Sequence, residues 1–237
     1  MNEIIEQVIA HANETQPNEC CGLVIERNGV REYVRCTNVS GDPTNQFVID
    51  PEEFARVEDM GEIVMIAHSH CFIPPFPSEA DKVGIEETNL PWLIVNYPVG
   101  NHTITTPSGY RPPLLERRFV KGVLDCYALV KDYYDEKLNI ALPHYPRPTV
   151  WHEVGNSYLL DNFRACGLFE EVPLEDLQPN DCVLMQIAST VPNHVAVYVG
   201  DDKILHHLEN RLSGHDVYGG FWRKVSTHAF RYVGEKQ

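Results

Sequence analysis

The sequence of 237 residues predicts two consecutive domains, an α/β half followed by a second half with its own helix, strands and chemistry. Three observations carry that reading. Helix-period and strand-like apolar runs alternate through the first half. The periodicity then stops at Thr106-Pro107-Ser108-Gly109-Tyr110-Arg111-Pro112-Pro113, a composition suited to a linker. Each half also carries its own cluster of reactive side chains. The domains therefore run over 1–110 and 111–237.

The opening MNEIIEQVIAHANE places Ile4, Ile5, Val8, Ile9 and Ala12 at helical spacing between acidic residues. That pattern predicts an amphipathic helix of a folded domain, not a signal peptide, and so a protein made and folded in a cytoplasm. GLVIERNG and VREYVRC read as strands joined at Asn28-Gly29. Asp50-Pro51-Glu52-Glu53 is a helix start, with a capping aspartate, a first-turn proline and early acids. Ile63 to Ala67 is an apolar run that reads as a buried strand, and LPWLIVNYP reads as another. In the second half, Asp125 caps an amphipathic helix running through Tyr133 and Tyr134, with Cys126 in its first turn. A turn at Leu177-Gln178-Pro179-Asn180-Asp181 leads into the strand CVLMQI. His194 enters the strand VAVYVG, Asp201-Asp202 turns, and Lys203 to His207 pairs back as a hairpin. Tyr218 and Trp222 read as core and strand packing.

A hydrophobic share of 43% is ample for folded cores. The net charge of −15 leaves no basic stripe to neutralise phosphates, which excludes nucleic acid as a partner. No apolar stretch approaches the roughly 20 residues of a membrane span. Seven cysteines, an odd number without framework spacing or a Cys-x-x-Cys pair, suit buried thiols in a reducing compartment.

The first reactive cluster follows the Ile63–Ala67 run directly. His68 and His70 lie two apart on a strand, so both rings point to one side and can converge on one ion. Ser78 comes after seven intervening residues and Asp81 three positions later. A carboxylate returning there completes three ligands with a position left for water, the arrangement of catalytic zinc. The spacing resembles the JAMM (MPN+) metalloprotease motif without a gap, and Pro17-Asn18-Glu19-Cys20-Cys21-Gly22-Leu23 resembles that family's early glutamate element. The resemblance covers roughly residues 1–110 and implies one Zn2+ held by His68, His70 and Asp81. It further implies Glu19 as general base and Ser78 as a stabiliser of the oxyanion. Cys71 departs from the proline common after the second histidine and reads as a small packed side chain.

The second cluster is Cys126 at a helix start, His194 at a strand start and a polar group on the neighbouring strand. A thiol at a helix N-terminus feels the positive end of the dipole, which predicts a thiolate near neutral pH with His194 as its ion-pair partner. The strings DCYALV, HVAVYVG and KILHH resemble the NlpC/P60 family of papain-like cysteine peptidases, an α+β fold. The resemblance implies that Cys126 attacks, His194 carries the proton and His206 holds the imidazole. Alternation along a strand allows only one of His206 and His207 that role, leaving His207 partly exposed. Tyr127 stands where a small residue is common and would narrow the site.

The two domains in one short chain resemble the tail tip assembly protein K family of lambda-like phages. That resemblance implies phage tail-tip proteins and peptidoglycan stem peptides as partners, the bond cut joining D-glutamate to diaminopimelate. It places the chain in the host cytoplasm during assembly and at the virion tail tip. Two functions follow: a hydrolase with a cysteine peptidase site and a zinc (iso)peptidase site, or an assembly factor acting by docking with little catalysis. Every position of both motifs is filled, which favours the hydrolase.

Overall fold

A computed structural model describes residues 1–145, 147 and 156–234. The chain divides into two compact units, Met1–Arg111 and Pro112–Gln237.

In the first unit, helix α1 (Asn2–Thr15) buries Ile4, Ile5, Val8 and Ala12. Strands β1 (Cys21–Arg27) and β2 (Val30–Cys36) form a hairpin whose two turn residues, Asn28 and Gly29, have φ of 53° and 76°. Positive φ at both positions matches the right-handed twist of the flanking strands. Helix α2 (Pro51–Glu58) starts at Asp50, whose carboxylate accepts the Glu52 and Glu53 amides. Strand β3 (Glu62–Cys71), helix α3 (Glu79–Thr88) and strand β4 (Trp92–Tyr97) form a crossover with parallel strands, and β5 (His102–Thr105) closes the edge. The sheet order is β2-β1-β3-β4-β5, which puts β3 at the centre. One face packs Val24, Met65, Ala67 and Val95 under α1. The other packs Leu23, Ile66 and Trp92 with Val57 of α2 and Ile85 of α3. A strand covered on both faces must be apolar throughout, which is why Ile63–Ala67 lacks alternation.

The second unit begins with α4 (Cys126–Tyr133), capped by Asp125 through the Tyr127 and Ala128 amides. The helix does not run regularly through Tyr134: Tyr134–Leu138 forms a wider π turn ending at left-handed Asn139. Then follow α5 (Tyr158–Ala165), β6 (Phe169–Val172), β7 (Cys182–Met185), β8 (His194–Gly200), β9 (Lys203–His206), β10 (Gly214–Val217), α6 (Gly220–Val225) and β11 (Ser226–Tyr232). The sheet is antiparallel in the order β10-β9-β8-β7-β11-β6. Tyr127 and Val130 of α4 pack on Leu184, Val195, Val197 and Phe230. The opposite face packs Val183, Ala196, Ile204 and Tyr218 with Trp222. The expected α/β and α+β characters are both present. All seven cysteines are free. Among the described residues no helix is long and apolar enough to cross a membrane.

Candidate active sites

In the first unit, β3 carries His68 and His70 on the face toward α3, buried at 0% and 3% exposure. Asp81 arrives from the first turn of α3, fixed there by a reciprocal cap. Ser78 Oγ accepts the Asp81 amide at 3.1 Å, and Asp81 Oδ2 accepts the Ser78 amide at 2.7 Å. Ser78 and Asp81 thus hold the helix start together, a capping box with aspartate in the usual glutamate position, and Asp81 also faces the two histidines.

His68 Nε2 and His70 Nε2 stand 3.2 Å apart, and the Asp81 oxygens lie 3.4 and 3.3 Å from them. Ligand atoms about 2.1 Å from a tetrahedral zinc are separated by roughly 3.4 Å, so these edges fit one. Burial would raise the Asp81 carboxyl, but His68, His70 and Ser78 outweigh it and hold it well below the usual carboxylate range. Burial lowers His68 to about 4, which keeps its ring neutral with a lone pair to give. Its Nδ1 has no hydrogen-bond partner among the described residues. The ring is oriented by stacking on Phe47 (4.6 Å) and edge-on contact with Trp92 (5.6 Å) instead. His70 Nδ1 donates to the Pro74 carbonyl at 3.0 Å, which turns its Nε2 inward. Two imidazole nitrogens and an enclosed anionic oxygen form a donor set that fits a zinc ion.

Glu19 precedes β1, opposite the start of the His68 register, since Cys21 pairs with His68. Ser69, on the other face of β3 from the two histidines, anchors it: Ser69 Oγ accepts the Cys20 amide and the Ser69 amide donates to Cys20 O. Burial is the main reason the Glu19 carboxyl is pushed up to about 8, with His70 pulling the other way and Asp81 adding to the rise. It lines a cavity of about 410 Å³. Cys71 is only half-buried, its Sγ 3.4 Å from the Asn18 carbonyl, so it is not the packed side chain expected. The loop after His70 exposes Phe72, Ile73 and Phe76 around an open groove.

In the second unit, one cleft of about 310 Å³ is lined by Cys126, His194, Asp125, Arg147, Lys121 and His207 among others. Cys126 comes from the start of α4 and His194 from the start of β8. His194 Nε2 meets His206 Nδ1 at 3.1 Å across the β8–β9 pair. That contact occupies one nitrogen of His194 and leaves Nδ1 for the cleft. Asp125 is held in turn by the Gly122 amide and the Arg147 guanidinium.

Three expectations are corrected here. The surroundings work against the expected thiolate: desolvation of the sulfur, although the residue itself is only half-buried, then the Asp125 carboxylate, push the Cys126 thiol up to about 12. Burial likewise lowers His194 to about 3, with His206 and His207 adding to the fall. Desolvation outweighs the helix dipole, and both partners rest neutral. Tyr127 does not narrow the cleft. It is buried in the core with its hydroxyl donating to Pro143 O at 2.9 Å, because one step along a helix turns a side chain away from its neighbour. His207 is fully buried rather than partly exposed, since the strand ends at His206 and Phe119 covers the ring edge-on at 5.1 Å. Arg147, Asp216 and Arg211 were not foreseen, as no local spacing marks them.

Comparison with known proteins agrees with both halves. Residues 1–105 match the family described as prokaryotic homologs of the JAB domain, and residues 109–231 match the NlpC/P60 family. The chain thus joins a JAB-type domain to an NlpC/P60 domain. Tail tip assembly protein K of Escherichia phage N15 is 39% identical over 235 residues, covering 96% of this chain and 93% of that protein. Its namesake of Escherichia phage lambda is 37% identical over 186 residues, covering 78% and 89%. The chain belongs to the tail tip assembly protein K family. A desampylase of Pyrococcus furiosus is 34% identical over 84 residues, 33% of this chain and 59% of that protein.

Proposed function

We propose that this chain serves at a phage tail tip as a cysteine peptidase acting on peptidoglycan stem peptides, with a zinc-dependent peptidase or isopeptidase in its first unit. The observation that supports the cysteine site most is the shared cleft: a thiol and an imidazole whose far nitrogen is tied by His206 at 3.1 Å. Because both groups rest neutral, the proton leaves Cys126 Sγ for His194 Nδ1 as sulfur attacks the carbonyl carbon. His194 then returns it to the leaving amine, and water releases the acyl group. The bond between D-glutamate and diaminopimelate is the substrate bond that NlpC/P60 membership suggests.

His68, His70 and Asp81 would hold the zinc of the first unit, which supplies Lewis-acid activation of water and of an amide carbonyl. Glu19, raised to about 8 and electrostatically coupled to His70 and Asp81, would hold or release the proton of that water. The tail-tip role is supported by the names of the two K proteins, and assembly in the host cytoplasm with a place in the virion belongs to the same proposal. Digestion of purified peptidoglycan, with product masses, tests the reading. Wild type should release peptides cut after D-glutamate, and Cys126→Ala should release none. Equal products from both proteins would remove Cys126 from the chemistry, and none from either would leave docking as the function.

A further inference from the structure

His206, which holds the candidate base, is itself held. Its Nε2 meets Asp216 Oδ2 on β10 at 3.0 Å, and Arg211 grips both oxygens of that carboxylate at 3.0 and 3.3 Å. Register explains the reach. His206 stands opposite Gly214, which has no side chain, so Asp216 two residues on reaches diagonally across the pair. Trp222 closes the other side of the ring, edge-on at 4.5 Å.

The bond directions follow from the outer end inward. A carboxylate only accepts, so His206 Nε2 carries a hydrogen. A neutral His206 then has its lone pair on Nδ1, which accepts the hydrogen of His194 Nε2. His194 is left with its lone pair on Nδ1, the nitrogen outside this chain of bonds. We infer that Asp216, fixed by Arg211, is a positioning residue that sets the tautomers of His206 and His194, so that His194 offers an unprotonated nitrogen to the cleft. Its catalytic consequence rests on the peptidase reading, while the tautomers rest on the hydrogen bonds alone. Two further facts agree. Burial, against the pull of Asp216, lowers His206 and keeps it neutral. The Arg211 hydrogen bond, opposed by burial and helped by His206, keeps Asp216 ionised.

Asp216→Asn is the informative change, because it preserves shape while adding donors. Arg211 can only donate, so it draws the amide oxygen and turns the NH2 toward His206. That reverses both tautomers. Nitrogen-15 spectra of the intact, histidine-labelled protein at neutral pH should show His194 with its hydrogen on Nε2 in wild type and on Nδ1 in Asp216→Asn. Hydrolysis of a soluble stem peptide should lose about 100-fold in kcat with KM little changed, less than the roughly 10⁴ lost when a carboxylate bonded directly to the base becomes an amide. A wild-type His194 protonated on Nδ1, or an Asp216→Asn protein with unchanged tautomers, overturns the inference. Wild type with the expected tautomer but no stem-peptide product supports the inference and overturns the peptidase reading instead.

Discussion

The two sites differ in what their surroundings do to charge. Around His68, His70 and Asp81 the protein encloses a carboxylate kept ionised, with two histidine nitrogens turned toward it, an arrangement made to receive a cation. Around Cys126 and His194 burial suppresses charge on both partners, and Asp216, the carboxylate linked to the base, sits one imidazole further out. The first site holds a charge in the resting state. The second develops one only as bonds are made and broken, which suits general-base rather than preformed ion-pair chemistry.

The contrast is broken most easily at its strongest point, the metal. Elemental analysis of the intact protein should give about one zinc, and Asp81→Asn should lose nearly all of it. Asparagine can still accept the Ser78 amide, so the α3 cap survives and the loss reports ligation. Metal content unmoved by that change would refute the donor set. Glu19→Gln should keep the zinc, since it removes only the proton carrier.

The next effect concerns the thiol. With Cys126 near 12 and His194 near 3, its alkylation in the substrate-free protein should be slow at pH 7 and climb steadily above pH 9. A rate plateau with an inflection below pH 7 would reveal a stable thiolate–imidazolium pair and erase the electrostatic contrast.

The smallest effect is on stability. His194 and His207 have folded values depressed to about 3 and about 4, below the 6.5 of an unfolded histidine. A depressed base leaves the unfolded state binding more protons. Stability is therefore full above pH 6.5 and falls as pH drops toward those values. The Arg117 and Arg211 backbones pull His207 up against its burial, yet neither ring nitrogen makes a hydrogen bond of good geometry among the described residues, so His207→Phe should cost at most about 1 kcal/mol at pH 7 and should soften the acid slope. Thermal melts at pH 7.5, 6 and 5 read both. A larger loss at neutral pH would mean that the approaches of Arg117 and Arg211 to His207 are full hydrogen bonds.

Legibility in the sequence follows the same division. The first site is nearly local: strand alternation aligns His68 with His70, and Ser78-x-x-Asp81 is a helix cap, so short-range rules locate all of it. Only the anchoring of Glu19 by Ser69 needs the pairing of β1 with β3. The second site gathers residues from 125 to 216 through sheet register. Local strings mark Cys126, His194 and His206, but the diagonal from His206 past Gly214 to Asp216 exists only once β9 and β10 pair. Exposure of His207 was misjudged for a related reason, as alternation ends where the strand does. The thiolate expectation took the helix N-terminus into account but not the desolvation that pushes the Cys126 thiol up, which no local string discloses.

One measurement tests the separateness of the two chemistries most directly: peptidoglycan digestion by chelator-treated protein beside untreated Cys126→Ala. Among the described residues the cysteine site has no metal donor set, so the treated wild type should release stem-peptide products at an undiminished rate, and Cys126→Ala should release none. Loss of products on chelation, with Cys126→Ala still active, would contradict the account and move the wall-cutting chemistry to His68, His70 and Asp81.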